Sequence, residues 1–281
     1  MPREPKARGK KPPGCIFCGS LPLSKEHILG QWLREYFPSV GAPKTNHIVR
    51  RGMPMDEGTR VVMEGKGMLT RPGDFWGTSL YLVCETCNNG WMSQVQEQAR
   101  PLLVPLFRGE WTGEISDEQR QRLATWCTVV TICLEYADES GRVVPDQDRL
   151  FVKQQLRPPP RWGVWLGHLS PTHQWGGFNH LSWSVSFDGI RLSHRSQATC
   201  WAMGRLFVQT YSWEGTEIVE REPEVVAELH GINVLWPPPG IARFGKPRDA
   251  LYNSEADDIG RSLRPPNTPL PHPAAQALRQ P

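Results

Sequence analysis

The chain has 281 residues, 22% of them charged, and a formal net charge of +3. That length suits one large domain or two modest ones, and so small a net charge says little by itself about nucleic-acid binding. No apolar run approaches the ~20 residues that cross a bilayer, and the basic N-terminus lacks the apolar segment of a secretory signal, so we expect a cytoplasmic protein without a membrane partner.

The sequence begins with a basic stretch, in which residues 1–11 carry five Lys or Arg side chains and one Glu. Residues 1–13 are therefore predicted to be a flexible arm, which either contacts phosphate groups or only aids solubility. Helical spacing of apolar residues predicts a helix over 28–37 that ends before Pro38. Residues 39–75 are rich in glycine, proline and charge, and we interpret them as an insertion.

A compact strand over 79–83 is predicted to lead into a helix over 88–99. Asn88 is placed to cap the start of this helix, and Pro101 is expected to end or kink it. Together with the preceding elements, this segment predicts an N-terminal domain over 14–110.

The second region, over 116–262, is predicted to be α+β with an antiparallel sheet. Its first helix starts at Ser116, where the sequence S-D-E-Q has the form of a capping box. A shorter helix is predicted over 146–156. From residue 162 the apolar period changes to two, and Asp188-Gly189 predicts a hairpin turn between two strands.

Further along, we expect one strand over 199–211, interrupted by Gly204. A short helix is predicted between Pro223 and Gly231. Residues 263–281 are rich in proline and are predicted to be a disordered tail. No internal repeat is apparent, and the role of this C-terminal region is left open.

Four of the seven cysteines form two C-x-x-C pairs, Cys15/Cys18 and Cys84/Cys87. Four thiolates from two such pairs suit one tetrahedral zinc ion, so the sequence predicts a structural Zn²⁺ site. A site with four sulfur ligands has no open position for water and does no chemistry itself. It would, however, bring two distant segments of the chain together.

The other three cysteines, Cys127, Cys133 and Cys200, lie among apolar residues. They are predicted to be buried free thiols in a reducing compartment. A Cys127–Cys133 bridge or a reactive thiol is the alternative. Three histidines, His168, His173 and His180, lack a ligand spacing, and we interpret them as loop residues rather than a second metal cluster.

Polar residues of catalytic type lie beside both cysteine pairs. Glu26-His27 follows the first pair by a short loop, and Asn88 directly follows the second. A carboxylate suits a hard divalent ion, a neutral imidazole can take a proton from water, and an amide oxygen can bind a metal. Each residue also has an ordinary role, as a surface loop or a helix cap, but a zinc site would force all three toward one place.

These residues resemble the HNH nucleases, the His-Me finger or ββα-metal family. The resemblance is to the zinc-knuckle branch, in which an acidic-His pair follows the first C-x-x-C and an asparagine follows the second. It covers about residues 14–100 and implies a ββα-metal N-terminal domain. In this family's pattern, Glu26 and Asn88 would hold a catalytic Mg²⁺ or Mn²⁺, and His27 would be the general base.

The resemblance implies a bacterial or phage protein that hydrolyses phosphodiester bonds of DNA, its expected partner. The acidic residue is Glu26 where the family commonly has Asp, and the insertion after His27 is long. Asn46 is a candidate for the family's middle asparagine, with His47 beside it as a further ligand or a phosphate contact.

Two functions other than a nuclease fit the sequence. In the first, the chain is a non-catalytic zinc-ribbon module that binds DNA or acts as an adaptor, and Glu26 and His27 are structural. A third possibility makes the C-terminal α+β region the working part. The sequence favours the nuclease, since a ribbon needs neither the Glu-His pair nor Asn88. The form of the nucleic acid, DNA or RNA, and the oligomeric state stay open.

Overall fold

A computed structural model describes residues 11–36, 45–48, 54–56, 59–63, 68–71, 79–110, 115–137, 142–170, 177–187, 190–213 and 232–237. Within these residues the fold is α+β with antiparallel sheets, as predicted. Residues 1–10 of the predicted arm, the predicted short helix between Pro223 and Gly231, and the predicted C-terminal tail lie outside the described residues. No helix in the described part of the chain is both long and apolar enough to cross a bilayer.

Eleven strands are described, in the chain order β1 Leu23–His27, β2 Thr45–Ile48, β3 Pro54–Asp56, β4 Thr59–Met63, β5 Met68–Arg71, β6 Ser79–Cys84, β7 Trp162–His168, β8 Gly177–Phe187, β9 Ile190–Met203, β10 Leu206–Trp213 and β11 Asn233–Trp236. The α-helices are α1 Glu85–Cys87, α2 Ser93–Arg108, α3 Asp117–Leu134 and α4 Asp146–Gln155. A 3₁₀ helix spans Gln31–Glu35, and a π-helical turn over Asn88–Met92 joins α1 to α2.

The N-terminal part is built on an antiparallel pair, β1 with β6, in a register that sets Leu23 opposite Cys84 and His27 opposite Ser79. A bulge falls between Ser24 and Lys25. The chain enters α1 directly after β6, so β1 lies beside the start of the helix. This order of strand, strand and helix places Glu26 and His27 close to Asn88.

The C-terminal part contains a seven-stranded antiparallel sheet in the order β11-β7-β10-β9-β8-β4-β3. The hairpin predicted at Asp188-Gly189 is confirmed, because Phe187 at the end of β8 pairs with Ile190 at the start of β9. Two of its strands, β3 and β4, come from the predicted insertion. One part of the insertion therefore extends the C-terminal sheet, whereas β2 and β5, also from the insertion, form a separate two-stranded sheet.

The helix predicted over 28–37 is wrong in extent, since only Gln31–Glu35 is helical and that segment is 3₁₀. Gly30 has a φ of +48°, in the left-handed region, which breaks any helix that includes Ile28 and Leu29. Those two side chains are buried in the core instead. The helix-like spacing of these apolar residues therefore results from a loop that is buried in the core, not from a helix.

The helix predicted over 88–99 is longer than expected at both ends. Helical turns begin at Glu85, and Asn88 lies in the π-helical turn that joins α1 to α2, where the backbone of Gly90 is not helical, so Asn88 is not the N-cap. Pro101 does not end it, because α2 continues through a second proline to Arg108. The buried face of α2 offsets the lost backbone bonds; it consists of Val95, Ala99, Leu103, Leu106 and Phe107.

The strand predicted over 199–211 is two strands, β9 and β10, paired as a hairpin with Met203 opposite Leu206. Gly204 has a φ of +57°, and a glycine with positive φ at the first of two turn residues closes a tight hairpin. The interpretation of the histidines as loop residues is also wrong for two of them. His168 lies in β7 and His180 in β8, both buried, while His173 lies outside the described residues.

One hydrophobic core runs from the first cysteine pair, at Cys15, to Leu235 in β11. Its centre is α3, whose residues from Leu123 to Leu134 are all buried. The predicted capping box is confirmed, since Ser116 and Gln119 exchange hydrogen bonds at the start of this helix. The described residues of the two predicted domains therefore share one core through α3.

A buried ion pair ties the end of α3 to α4. Glu135 is fully buried, and its carboxylate lies 3.1 Å from Arg149, which is 7% exposed. The backbone N–H groups of Val143 and Val144 also donate to Glu135. The carboxylate is thus paired and hydrogen-bonded, the condition under which a buried charge is tolerated.

We expect Arg149→Met to lower the free energy of unfolding by about 3 kcal/mol, because it leaves the buried Glu135 carboxylate without its cation. Urea denaturation followed by circular dichroism measures the change. Arg122→Met is the matched control, since Arg122 pairs with Glu118 on a more exposed part of α3 and should cost less than about 0.5 kcal/mol. Equal losses in the two variants would contradict a special role for the buried pair.

Candidate metal centre and adjoining cavity

The four predicted ligands, Cys15, Cys18, Cys84 and Cys87, form one cluster in which their sulfur atoms all lie within 4.8 Å of one another. Cys18 Sγ lies 3.6 Å from both Cys84 Sγ and Cys87 Sγ. A regular tetrahedron with Zn–S bonds of about 2.3 Å has sulfur–sulfur edges of about 3.8 Å. The cluster therefore has the size and the donor set to hold a zinc ion.

Each C-x-x-C pair lies in a tight turn, here called a knuckle: the first contains Cys15 and Cys18, and the second contains Cys84 and Cys87. Local backbone geometry forms both knuckles. In the first, Cys18 N–H and Gly19 N–H both donate to the Cys15 carbonyl, and Gly19 has a φ of +75°. In the second, Cys84 ends β6 and Cys87 lies in the turn of α1 that follows. The two knuckles are joined by a hydrogen bond from Ile16 N–H to the Leu82 carbonyl, so the loop is docked on the strand.

The thiols titrate differently. Burial raises the pKa of Cys15, and it raises the pKa of Cys87 to about 12. Burial acts in the same direction on Cys18, but hydrogen bonds with Ser20 and the neighbouring thiols outweigh it and lower the pKa of Cys18 to about 6. The protein environment thus favours the thiolate at Cys18 and the thiol at Cys15 and Cys87.

Glu26 and Asn88 meet across the junction of β1 with the helix. The Asn88 side chain forms a hydrogen bond with the Glu26 carboxyl group, and Asn88 Nδ2 also donates to Ser24 Oγ at 3.3 Å. Burial raises the pKa of Glu26 to about 7, and the Asn88 contact only partly opposes this. None of the ion pairs among the described residues involves Glu26, so its partly buried carboxyl group has no cation partner there.

His27 lies next to Glu26 at the end of β1. Its Nδ1 atom lies 3.0 Å from Gln31 Nε2 in the 3₁₀ helix that follows. Burial lowers the pKa of His27, and the positive charges of Arg34 and Lys25 lower it further. The imidazole is therefore neutral at neutral pH, and because an amide N–H only donates, its single nitrogen lone pair lies at Nδ1 and accepts from Gln31 Nε2.

A cavity of about 460 Å³ opens beside these residues, and Glu26, His27 and Asn88 all line it. The structure thus brings together the three residues predicted from the sequence, next to the cysteine cluster. Asn46 and His47 lie in β2, paired with β5, and only the backbone is described there.

Part of the cavity wall comes from α3, through Trp126, Val129, Val130 and Cys133. Sequence reasoning missed this wall, because it assigned α3 to a separate domain. Ser24 was missed too, although it follows the first knuckle in the same short segment as Glu26. The predicted burial of Cys127, Cys133 and Cys200 as free thiols is confirmed.

Comparison with family models, with curated proteins and with solved structures finds no match for this chain. The chemistry of the site therefore has to be judged from its own residues.

We expect the purified protein to contain one zinc ion per chain, measured by inductively coupled plasma mass spectrometry. Cys87→Ser should lose that zinc, since it removes one of four sulfur ligands. Cys127→Ala is the matched control, because Cys127 is an equally buried cysteine outside the cluster, and it should keep the metal. A wild-type protein with four reduced thiols and no bound metal would contradict the assignment.

Proposed function

We propose that this protein is a metal-dependent endonuclease that hydrolyses phosphodiester bonds in DNA, built around a structural zinc site. The observation that carries the proposal is the meeting of Glu26, His27 and Asn88 at one cavity beside the four cysteines. Such an enzyme needs ligands for a divalent metal and a general base. Here a carboxylate and an amide would supply the ligands, and a neutral imidazole at the same opening would supply the base.

The order of elements supports the same proposal. An antiparallel pair, β1 and β6, runs directly into a helix that carries Asn88, and the two cysteine pairs lie at the same junction. In the HNH nucleases that the sequence resembles, a strand pair and a helix hold the acidic-His pair and the asparagine in this order. A zinc-ribbon module without catalysis would not require a carboxyl group, an imidazole and an amide that line one cavity.

The residues present fit a divalent cation. Glu26 offers carboxylate oxygens in a partly buried position without a cationic partner among the described residues, and Asn88 can offer Oδ1. Asn88 Nδ2 is engaged by Ser24, which leaves the amide oxygen as the atom available for a metal. A Mg²⁺ or Mn²⁺ ion held there would stabilise the charge on the phosphate and on the leaving 3′ oxygen.

His27 would take a proton from a water molecule at Nδ1, where the water would replace the Gln31 amide, as the water oxygen attacks phosphorus. The new P–O bond forms in line with the P–O3′ bond that breaks, which leaves a 5′ phosphate on one fragment. The 3′ oxygen takes a proton from solvent and leaves as a hydroxyl group. Lys25 and Arg100 also line the cavity and add positive charge for the phosphate backbone.

The proposal predicts that the protein nicks or cleaves plasmid DNA in the presence of Mg²⁺ or Mn²⁺, and that EDTA stops the reaction. We expect His27→Ala to lower the cleavage rate at least about 100-fold, which is the contribution of a positioned general base. Gel analysis of supercoiled plasmid at fixed protein and metal concentrations measures the rate.

Gln154→Ala, an exposed change on α4 away from the cavity, is the control and should cleave at the wild-type rate. Full cleavage by His27→Ala would overturn the assignment of the base. Salt-dependent DNA binding without any metal-dependent cleavage would instead favour the zinc-ribbon module.

Ser24 is a positioning residue in this proposal. Its hydroxyl donates to the Val83 carbonyl at 3.1 Å and accepts from Asn88 Nδ2, so it fixes which atom of the amide is free. We expect Ser24→Ala to weaken the affinity for Mn²⁺ by about 10-fold, which is typical for loss of a group that orients a metal ligand. The Mn²⁺ dependence of the cleavage rate and electron paramagnetic resonance of free Mn²⁺ both measure it.

Ser24→Thr keeps a hydroxyl group and should restore the affinity for Mn²⁺. Zinc content should be unchanged in both variants, because Ser24 does not contact the cysteine cluster through its side chain. Equal Mn²⁺ affinity in Ser24→Ala and wild type would remove Ser24 from the site.

A further inference from the structure

One face of the strand pair β1 and β6 carries the proposed base together with an exposed tyrosine and a lysine. Side chains alternate between the two faces of a strand, so Lys25 and His27, which are two residues apart, point to the same face. Tyr81 pairs with Lys25 in the register of the two strands, so its side chain lies on that face too. The three side chains are therefore neighbours on one surface.

Burial differs between the two faces of the pair as this alternation requires. Leu80, which pairs with Glu26 on the other face, packs against the hydrophobic core. Lys25 is exposed, and Tyr81 is 45% exposed. Tyr81 is therefore open to a ligand and is not a core residue of the N-terminal part.

A second lysine lies on the Tyr81 ring. Lys11 Nζ is 4.5 Å from the ring centroid, within the distance of about 6 Å at which the face of an aromatic ring attracts a cation. Neither Lys11 nor Lys25 is in an ion pair with a carboxylate among the described residues. The surface formed by Lys11, Lys25 and Tyr81, here called the Tyr81 face, thus presents two cations that no acidic side chain neutralises there.

The sequence before Lys11 extends this positive charge. Residues 1–10 contain four basic side chains and one acidic side chain. Because Lys11 contacts the Tyr81 ring, this basic stretch joins the described fold at the Tyr81 face. A stretch of cations followed by two fixed ones suits an extended polyanion better than a single small anion.

The Tyr81 face adjoins the proposed active site. With about 3.3 Å per residue along a strand and about 4.8 Å between strands, the Cα atoms of Tyr81 and His27 are about 8 Å apart. Lys25 also lines the cavity, so the face and the cavity are continuous. Phosphates of one DNA strand follow one another about every 3.4 Å along the helix axis, which puts the Tyr81 face about two or three phosphates from one held at His27.

We propose that the Tyr81 face binds the phosphate backbone of the DNA strand next to the scissile bond. Lys25 and Lys11 bind phosphates, and Tyr81 is a positioning residue that holds the Lys11 ammonium group in place. This inference rests on the proposed nuclease function and names the surface that holds its substrate. Phosphate contacts carry no sequence information, so the face contributes affinity and register without sequence preference. An anionic membrane is the other polyanion that a basic face suits, and continuity with the cavity favours DNA.

The test measures binding of a fluorescein-labelled duplex oligonucleotide by fluorescence anisotropy over a series of salt concentrations. All variants are made in the full-length His27→Ala protein, without added divalent metal, so that binding is separated from cleavage. The slope of log K against log salt concentration reports the number of phosphates that the protein neutralises. Circular dichroism and zinc content establish that each variant is folded.

We expect Lys11→Gln and Lys25→Gln each to weaken binding about 5- to 10-fold at about 0.1 M salt and to reduce the size of the salt slope by about 0.9, the effect of one lost phosphate contact. Tyr81→Ala should match Lys11→Gln, whereas Tyr81→Phe keeps the ring and should bind like the parent. Lys153→Gln, which removes the same charge from α4, is the control and should leave the slope unchanged.

The combined variant Lys11→Gln/Tyr81→Ala separates a positioning role from an independent contact. It should lose no more affinity than Lys11→Gln alone, because Tyr81 acts through Lys11 and the two effects are not additive. Additive losses would remove the positioning role of Tyr81.

A parental salt slope in both Lys11→Gln and Tyr81→Ala would overturn the inference, even if the wild-type protein cleaves DNA. Binding to phosphatidylserine vesicles with the same dependence on Lys11, but without binding to DNA, would overturn it in favour of a membrane. If the wild-type protein cleaves no DNA but the variants show the expected slopes, the nuclease proposal fails and the Tyr81 face stands as a DNA-binding surface.

Discussion

The structure depends on one constraint, the convergence of four thiols from two cysteine pairs that are 66 residues apart at their nearest ligands. Cys18 and Cys84 come within 3.6 Å, and this closure sets the first knuckle against β6. Because β1 follows the first knuckle and the helix follows the second, the same closure fixes the end of β1 beside Asn88. The cysteines do no chemistry in this account, but the position of every proposed catalytic group follows from them.

Much of this could be predicted from residue spacing. The C-x-x-C pairs predicted the cysteine cluster. The position of Glu26-His27 and Asn88 relative to these pairs predicted a shared site, because each of these residues lies only a few residues from a cysteine of the cluster. The capping box at Ser116 and the Asp188-Gly189 hairpin were predictable for the same reason. In each case a short stretch of sequence contains all the atoms that determine the geometry.

The rest could not be predicted, because it depends on packing between distant elements. Nothing near Trp126 or Val129 indicates that α3 forms a wall of the cavity, since their apolar character fits any buried helix. The continuation of α2 through Pro101 likewise depends on a buried face that only the whole core reveals. Gly204 is compatible with a break in one strand or with a hairpin turn. The structure has the hairpin turn, because β9 pairs with β10.

The central claim is that Glu26 and Asn88 hold a catalytic divalent metal next to the cysteine cluster. Anomalous diffraction from crystals soaked in Mn²⁺ tests it most directly. The account predicts a zinc peak among the four sulfur atoms and a separate manganese peak in contact with a Glu26 carboxylate oxygen and Asn88 Oδ1. A zinc peak alone, with the Glu26 carboxyl group bound only to Asn88, would contradict it.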